Sequence, residues 1–212
     1  MIALKILSIF SFNVIVLALM PGPDNIFVAI QSLSYGKKHG LATVLGLVSG
    51  CLVHTLLVAF GVSALIKNND LVYSIIIAFG AIYLLYLAYK VYNSEIQINL
   101  EESNAPKLNL MQSYKRGVIM NVLNPKVGIF FLAFFPAFLF SNSISISLQF
   151  IYLGLLFALI TFIVFSTIAF MASFLKKFTA SASQLFWIKW IQIAVFILIA
   201  FYILWSHFYS YF

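Results

Sequence analysis

Two short stretches of a very apolar chain hold most of its chemistry: Pro21-Gly22-Pro23-Asp24-Asn25 and Asn124-Pro125-Lys126. Asp24 and Lys126 are opposite charges set within hydrophobic runs, each directly after a proline. A charge at the centre of a bilayer costs about 2.5–3.5 kcal/mol on insertion scales, so such residues usually face a cavity or a partner. Asp24 can bind a substrate ammonium or cycle a proton; more plainly, it offsets the dipole of a helix beginning at Pro23. Lys126 can pair with Asp24, contact a substrate carboxylate, or snorkel to an interface along its apolar stem. Asn25 and Asn124 can satisfy backbone groups that the prolines free, or touch substrate.

The prolines make these stretches more than isolated charges. Each removes a backbone donor and clashes with the preceding turn, freeing amides and carbonyls at membrane depth. Only protein or a wet cavity can satisfy such groups there. A half-helix starting at the break aims its positive end inward and attracts a carboxylate. One proline alone reads as a kink in a lipid-facing helix, whereas matched interruptions in two halves point to a transporter's binding site.

Other polar residues fit packing at least as well. Gly46, Ser49, Gly50 and His54 share one helical face, and Gly46-x3-Gly50 reads as a helix-packing seam. His54 is either a proton carrier or a ring bonded to a neighbouring helix. His39 and His207 are assigned no role, Asp70 reads as a loop residue, and Phe79, Tyr83 and Tyr86 read chiefly as packing. Cys51 is the single cysteine, which excludes an internal disulfide or a paired-thiol relay. No metal-ligating cluster stands out and no cofactor is expected. There is no Gly-x4-Gly-Lys-Ser/Thr loop for direct ATP drive. His54 and Asp24 alone do not make a catalytic set, so the chain is not read as an enzyme.

These residues must be held by membrane helices. Of 212 residues 64% are hydrophobic and 8% charged, against roughly a quarter charged in soluble domains. Six apolar stretches each approach or exceed the roughly 20 residues of a span: about Ile2 to Leu33, Leu41 to Ile66, Leu71 to Tyr92, Tyr114 to Phe140, Ser147 to Phe174 and Phe186 to Phe208. The first follows a single basic residue, Lys5, but no Ala-x-Ala-like site ends it, so it reads as a retained helix. The expected fold is all-α and integral to the membrane: one domain over 1–212, with inverted three-helix repeats at 1–92 and 114–212. Each repeat opens on a broken helix, and a linker spans 93–113. Nine basic residues (Lys37, Lys38, Lys90, Lys107, Lys115, Arg116, Lys176, Lys177, Lys189) fall on one side against Lys5 and Lys67 on the other. Basic loops stay in the cytoplasm, which places the linker inside and both termini outside. The net charge of +7 is spread through these loops, so it suits anionic lipid rather than nucleic acid. The Trp and Tyr residues near span ends suit the headgroup zone.

Taken together, Pro21-Gly22-Pro23-Asp24, Gly36-Lys37-Lys38-His39-Gly40-Leu41, and Gly46-Leu-Val-Ser-Gly50 with His54 resemble the first half of the lysine-exporter family, more narrowly its homoserine/threonine-resistance branch. Gly80 to Lys90 resembles the family's third span. Arg116-Gly117, Asn121, Leu123-Asn124-Pro125-Lys126 and Phe131 to Pro136 resemble its fourth. The resemblance implies efflux of amino acids such as threonine, homoserine or leucine, or of related metabolites. It implies proton drive, a bacterial inner membrane, and importance for the Asp24 and Asn124-Pro125 regions. A second copy of the chain is a candidate partner. The last span departs from the pattern, having no glycine and no membrane-depth basic residue. A transporter of another small solute or of a metal cation is the alternative, though no intramembrane carboxylate cluster or Met/Cys/His set favours a metal.

Overall fold

The computed structural model describes residues 2–20, 22–67, 69–93, 108–174 and 182–209, and among these every element is helical. Helix α1 (Ile2–Leu19) is followed by α2 (Pro23–Tyr35), then α3 (Lys37–Leu56). A π-helical turn (Leu57–Val62) carries α3 into α4 (Ser63–Ile66) without a break. Then come α5 (Asp70–Tyr92), α6 (Leu110–Val122), α7 (Pro125–Phe134) with a 3-10 turn (Phe135–Phe138), α8 (Ile146–Phe174) and α9 (Ala182–Tyr209).

The helix ends follow from local chemistry. Gly36 ends α2 at φ 85°, a left-handed value that a residue with a Cβ reaches only at a cost. Asn69 caps α5 by accepting from the Val72 amide at 3.1 Å. Asp70, expected in a loop, is instead the first residue of that helix. Asn109 and Gln112 close a reciprocal capping box on α6, both bonds at 2.8 Å. Between the 3-10 turn and α8, the Gln149 side chain accepts from the Phe140 and Ser141 amides and donates to the Ser141 and Ile144 carbonyls. One buried side-chain amide thereby satisfies four backbone groups of the loop.

Three helices are long and apolar enough to cross a membrane alone: Lys37–Ile66, Leu71–Tyr92 and Ile146–Ser173. Counting each bent pair as one crossing makes five among the described residues: α1 with α2, bent by 58°, and α6 with α7 and its 3-10 turn, bent by 53°. The molecule is a multi-pass, all-α membrane protein. Large apolar side chains on most of the helices point outward, as a lipid solvent allows. Phe79 and Tyr86 are among them, so two of the three span-three aromatics expected to pack face away from the bundle; Tyr83 is partly buried.

Inside, α3 and α6 approach most closely. A Cβ on Gly46 would stand 2.1 Å from the Tyr114 carbonyl oxygen, and one on Gly117 2.5 Å from that of Thr43. Only hydrogen fits at either position, so the backbones themselves are in contact. Helix α3 also packs on α8, and α5 on α9. One large core is rich in phenylalanine: Phe10, Phe130, Phe131, Phe134, Phe135, Phe138, Phe150, Phe157 and Phe196. A smaller core holds Ala18, Val28, Val44, Leu47, Phe165 and Ala169.

Candidate functional site

The two helix breaks meet at a cavity of about 60 Å³. Its wall includes Gly22, Pro23, Asp24 and Asn25 from the first break, and Asn121, Asn124, Lys126 and Val127 from the second. Cys51 closes it from α3 and Thr161 from α8. Both stand near the middle of their long helices, so the cavity lies near mid-depth of the bundle. The remaining wall is apolar: Leu17, Ala18, Met20, Phe130, Phe157 and Phe165.

At the first break, Gly22 is the N-cap of α2 and Pro23 its first residue. Glycine has no side chain to cap with, so none covers the first amides of α2. Asn25 reaches back across the break and donates to the Ala18 carbonyl at 2.7 Å, a group left free where α1 ends. Asp24 is buried in the first turn. Its Oδ2 accepts from Asn124 Nδ2 at 3.3 Å, while Oδ1 is buried with no partner. Pro21 lies outside the described residues.

The second break is differently furnished. Asn124 caps α7 by accepting from the Lys126 amide at 3.0 Å, and Pro125 occupies the first helical position. In a continuous helix the Asn121 carbonyl would accept from residue 125, but proline has no N–H. That carbonyl instead takes the Asn124 amide at 3.1 Å and His54 Nε2 at 3.2 Å. The carbonyl can only accept, so His54 donates through Nε2. Its ring lies 5.4 Å from that of Phe131, and neither His54 nor Pro125 lines the cavity.

Lys126 and Asp24 share the cavity without touching: no ion pair within 4 Å joins them among the described residues. The ammonium of Lys126 lies 5.5 Å from the centre of the Phe196 ring, an attraction of cation and π face that α9 supplies. It also comes within 3.9 Å of where a Cβ on Gly22 would stand. Gly50 is where α3 receives Asn121: a Cβ there would be 2.6 Å from the Asn121 side chain. Among the described residues, no group of three or more His, Cys, Asp or Glu side chains is placed to hold a metal ion.

Six sequence-derived candidates therefore share one cavity: Gly22, Pro23, Asp24, Asn25, Asn124 and Lys126. His54 stands behind it, and Gly46 lies along the α3–α6 contact away from it. Sequence reasoning missed Thr161, Phe196 and the aromatic wall. Thr161 did leave a signal, a hydroxyl at the middle of a 29-residue helix that carries no charged residue.

A family model described as LysE type translocator matches residues 15–207. The Bacillus subtilis membrane protein YrhP, itself uncharacterised, is 27% identical over 169 residues, covering 76% of this chain and 80% of its own. A leucine efflux protein of Klebsiella pneumoniae is 28% identical over 167 residues, 79% of each chain. Another, from Enterobacter sp. (strain 638), is 27% identical over 169 residues, 80% of each. No solved structure matches the chain.

Proposed function

Since the chain belongs to the LysE type translocator family, we propose that it is a secondary exporter of small amino acids, with leucine-like substrates foremost, in a bacterial cytoplasmic membrane. The observation that carries this reading is the meeting of two proline-broken helices at one cavity holding a carboxylate, an ammonium and the uncapped start of α2. An amino acid is a zwitterion, and such a wall offers a counterpart to each of its charges. The Lys126 ammonium and the α2 amides suit the substrate carboxylate, and Asp24 suits the substrate ammonium. The leucine efflux relatives support an aliphatic substrate.

The transport cycle is alternating access around this site, driven by protons, with Asp24 as the carrier. Helix α9 serves as the sixth span, and both termini lie outside. The halves 1–92 and 114–212 are inverted repeats related by a two-fold axis in the membrane plane. Such an axis would exchange α3 with α8 and α5 with α9, and the packing of each of these pairs supports it. A cavity of about 60 Å³ is well below the roughly 150 Å³ that accommodates benzene in an engineered protein core. Leucine does not fit in that volume, so loading requires the broken helices to part.

Asp24→Asn tests the reading. The variant should insert normally, yet cells loaded with leucine, threonine or homoserine should lose protein-dependent efflux by at least about tenfold, since a charge-assisted contact is worth about 1.5–3 kcal/mol. Efflux equal to wild type would remove Asp24 from the mechanism. An uncoupler that collapses the proton gradient should abolish wild-type export from vesicles; persistence would point to another driving force.

A further inference from the structure

Three residues of the cavity wall each carry a buried oxygen with no hydrogen-bond partner from the protein: Asp24 Oδ1, Asn121 Oδ1 and Thr161 Oγ1. They come from α2, α6 and α8, and their residues are 8%, 2% and 3% exposed. Buried polar atoms are nearly always satisfied, so three open ones around a single cavity call for an occupant. With Asp24 ionised, its oxygen and that of Asn121 can only accept and the Thr161 hydroxyl accepts readily, so the occupant that matches them is a donor or a cation. Hard divalent cations take six or more oxygens, and here three oxygens stand beside a wall of phenylalanine. An ammonium group has three N–H donors, one for each oxygen.

We propose that Asp24, Asn121 and Thr161 form the cradle for a substrate's ammonium group. On this assignment Phe130, Phe157 and Phe165 receive an apolar side chain next to it. The proposal rests on the amino-acid export reading and narrows it to amino acids with apolar side chains. It adds two residues with distinct duties. Asn121 uses its backbone carbonyl to hold the helix break, and its unpartnered side-chain oxygen, seated where Gly50 leaves room, is assigned to the ligand. Thr161 brings α8, which makes no other polar contact to the breaks among the described residues, into direct recognition.

The test uses purified full-length protein in detergent, with ligand-induced thermal stabilisation as the readout. Three probes separate the groups: leucine, 3-methylbutylamine (no carboxylate) and 4-methylpentanoate (no ammonium). Thr161→Val should weaken leucine and the amine roughly ten- to hundredfold, the range for a hydrogen bond to a charged group, and leave 4-methylpentanoate unchanged. Thr161→Ser should recover most of that loss. Should the valine variant not fold, Thr161→Ala is measured in the same way. Equal weakening of all three probes, no weakening of any, or binding of none by the wild type overturns the cradle. So does stabilisation by sodium chloride that choline chloride does not reproduce and Thr161→Val removes, since the oxygens would then hold a metal ion. Vesicles that fail to move leucine would refute the export reading, while the amine decides the cradle independently.

Discussion

The two helix breaks have the same punctuation, a proline at the first position of the second half-helix, but opposite hydrogen-bond economies. At the second, Asn124 caps Lys126, His54 crosses from α3 to the Asn121 carbonyl, and the Asn124 amide group reaches Asp24. At the first, the cap is a glycine, one asparagine holds the Ala18 carbonyl, and a carboxylate oxygen is left open. Their packing differs as well: α2 lies against α3 and α8, whereas α7 leans mainly on α5. A matched pair of prolines therefore does not make a matched pair of sites. The second break is the more fully braced, while the first keeps an uncapped helix start and an unpartnered carboxylate oxygen.

The largest effect should come from removing the residue that joins them. Asn124→Leu deletes the cap on α7, worth about 1 kcal/mol, and the charge-assisted bond to Asp24, worth about 1.5–3 kcal/mol. Loss of about 2–4 kcal/mol is expected in thermal or denaturant unfolding of the purified protein. Asn25→Leu breaks one neutral bond to the Ala18 carbonyl and should cost about 1 kcal/mol. Equal losses at the two positions would erase the distinction between a braced and an open break.

Much of this is legible in the sequence, for physical reasons that also mark where legibility stops. Lipid demands long apolar runs, so the helices stand where Leu41 to Ile66 or Leu71 to Tyr92 put them. Proline cannot donate, so Pro23 and Pro125 disclose breaks in a bare sequence. Partners supplied by distant segments leave no such mark. Gly46 discloses a close contact but not that Gly117 and Tyr114 of α6 fill it. Lys126 discloses a charge within an apolar run but not that Phe196 of α9 lies under it. His54 fits a relay or a brace equally well on its own, and only the position of the Asn121 carbonyl shows the bond it makes.

A middle-sized effect tests the brace. His54→Phe keeps a ring against Phe131 and removes the donor to Asn121, whose carbonyl still holds the Asn124 amide. The expected cost is about 1 kcal/mol in unfolding. Efflux should fall no more than about twofold, and its pH profile should not move. A shifted pH midpoint would make His54 a proton carrier rather than a brace.

The smallest effect makes the first break resemble the second. Gly22 sits at φ −157°, ψ 176°, extended backbone open to any residue, and a Cβ there would meet nothing closer than 3.9 Å. Gly22→Asn therefore fits sterically and installs the cap that Asn124 supplies to α7. The change should stabilise the protein by a few tenths of a kcal/mol, the usual margin of asparagine over glycine at an N-cap. Yet the new side chain would occupy the α2 amides meant for a substrate carboxylate, so efflux should fall several-fold while stability rises. That opposition separates a binding surface from a structural flaw: if Gly22→Asn raised stability with efflux intact, the uncapped start of α2 would be a mere omission and the first break would owe its capacity to Asp24 alone.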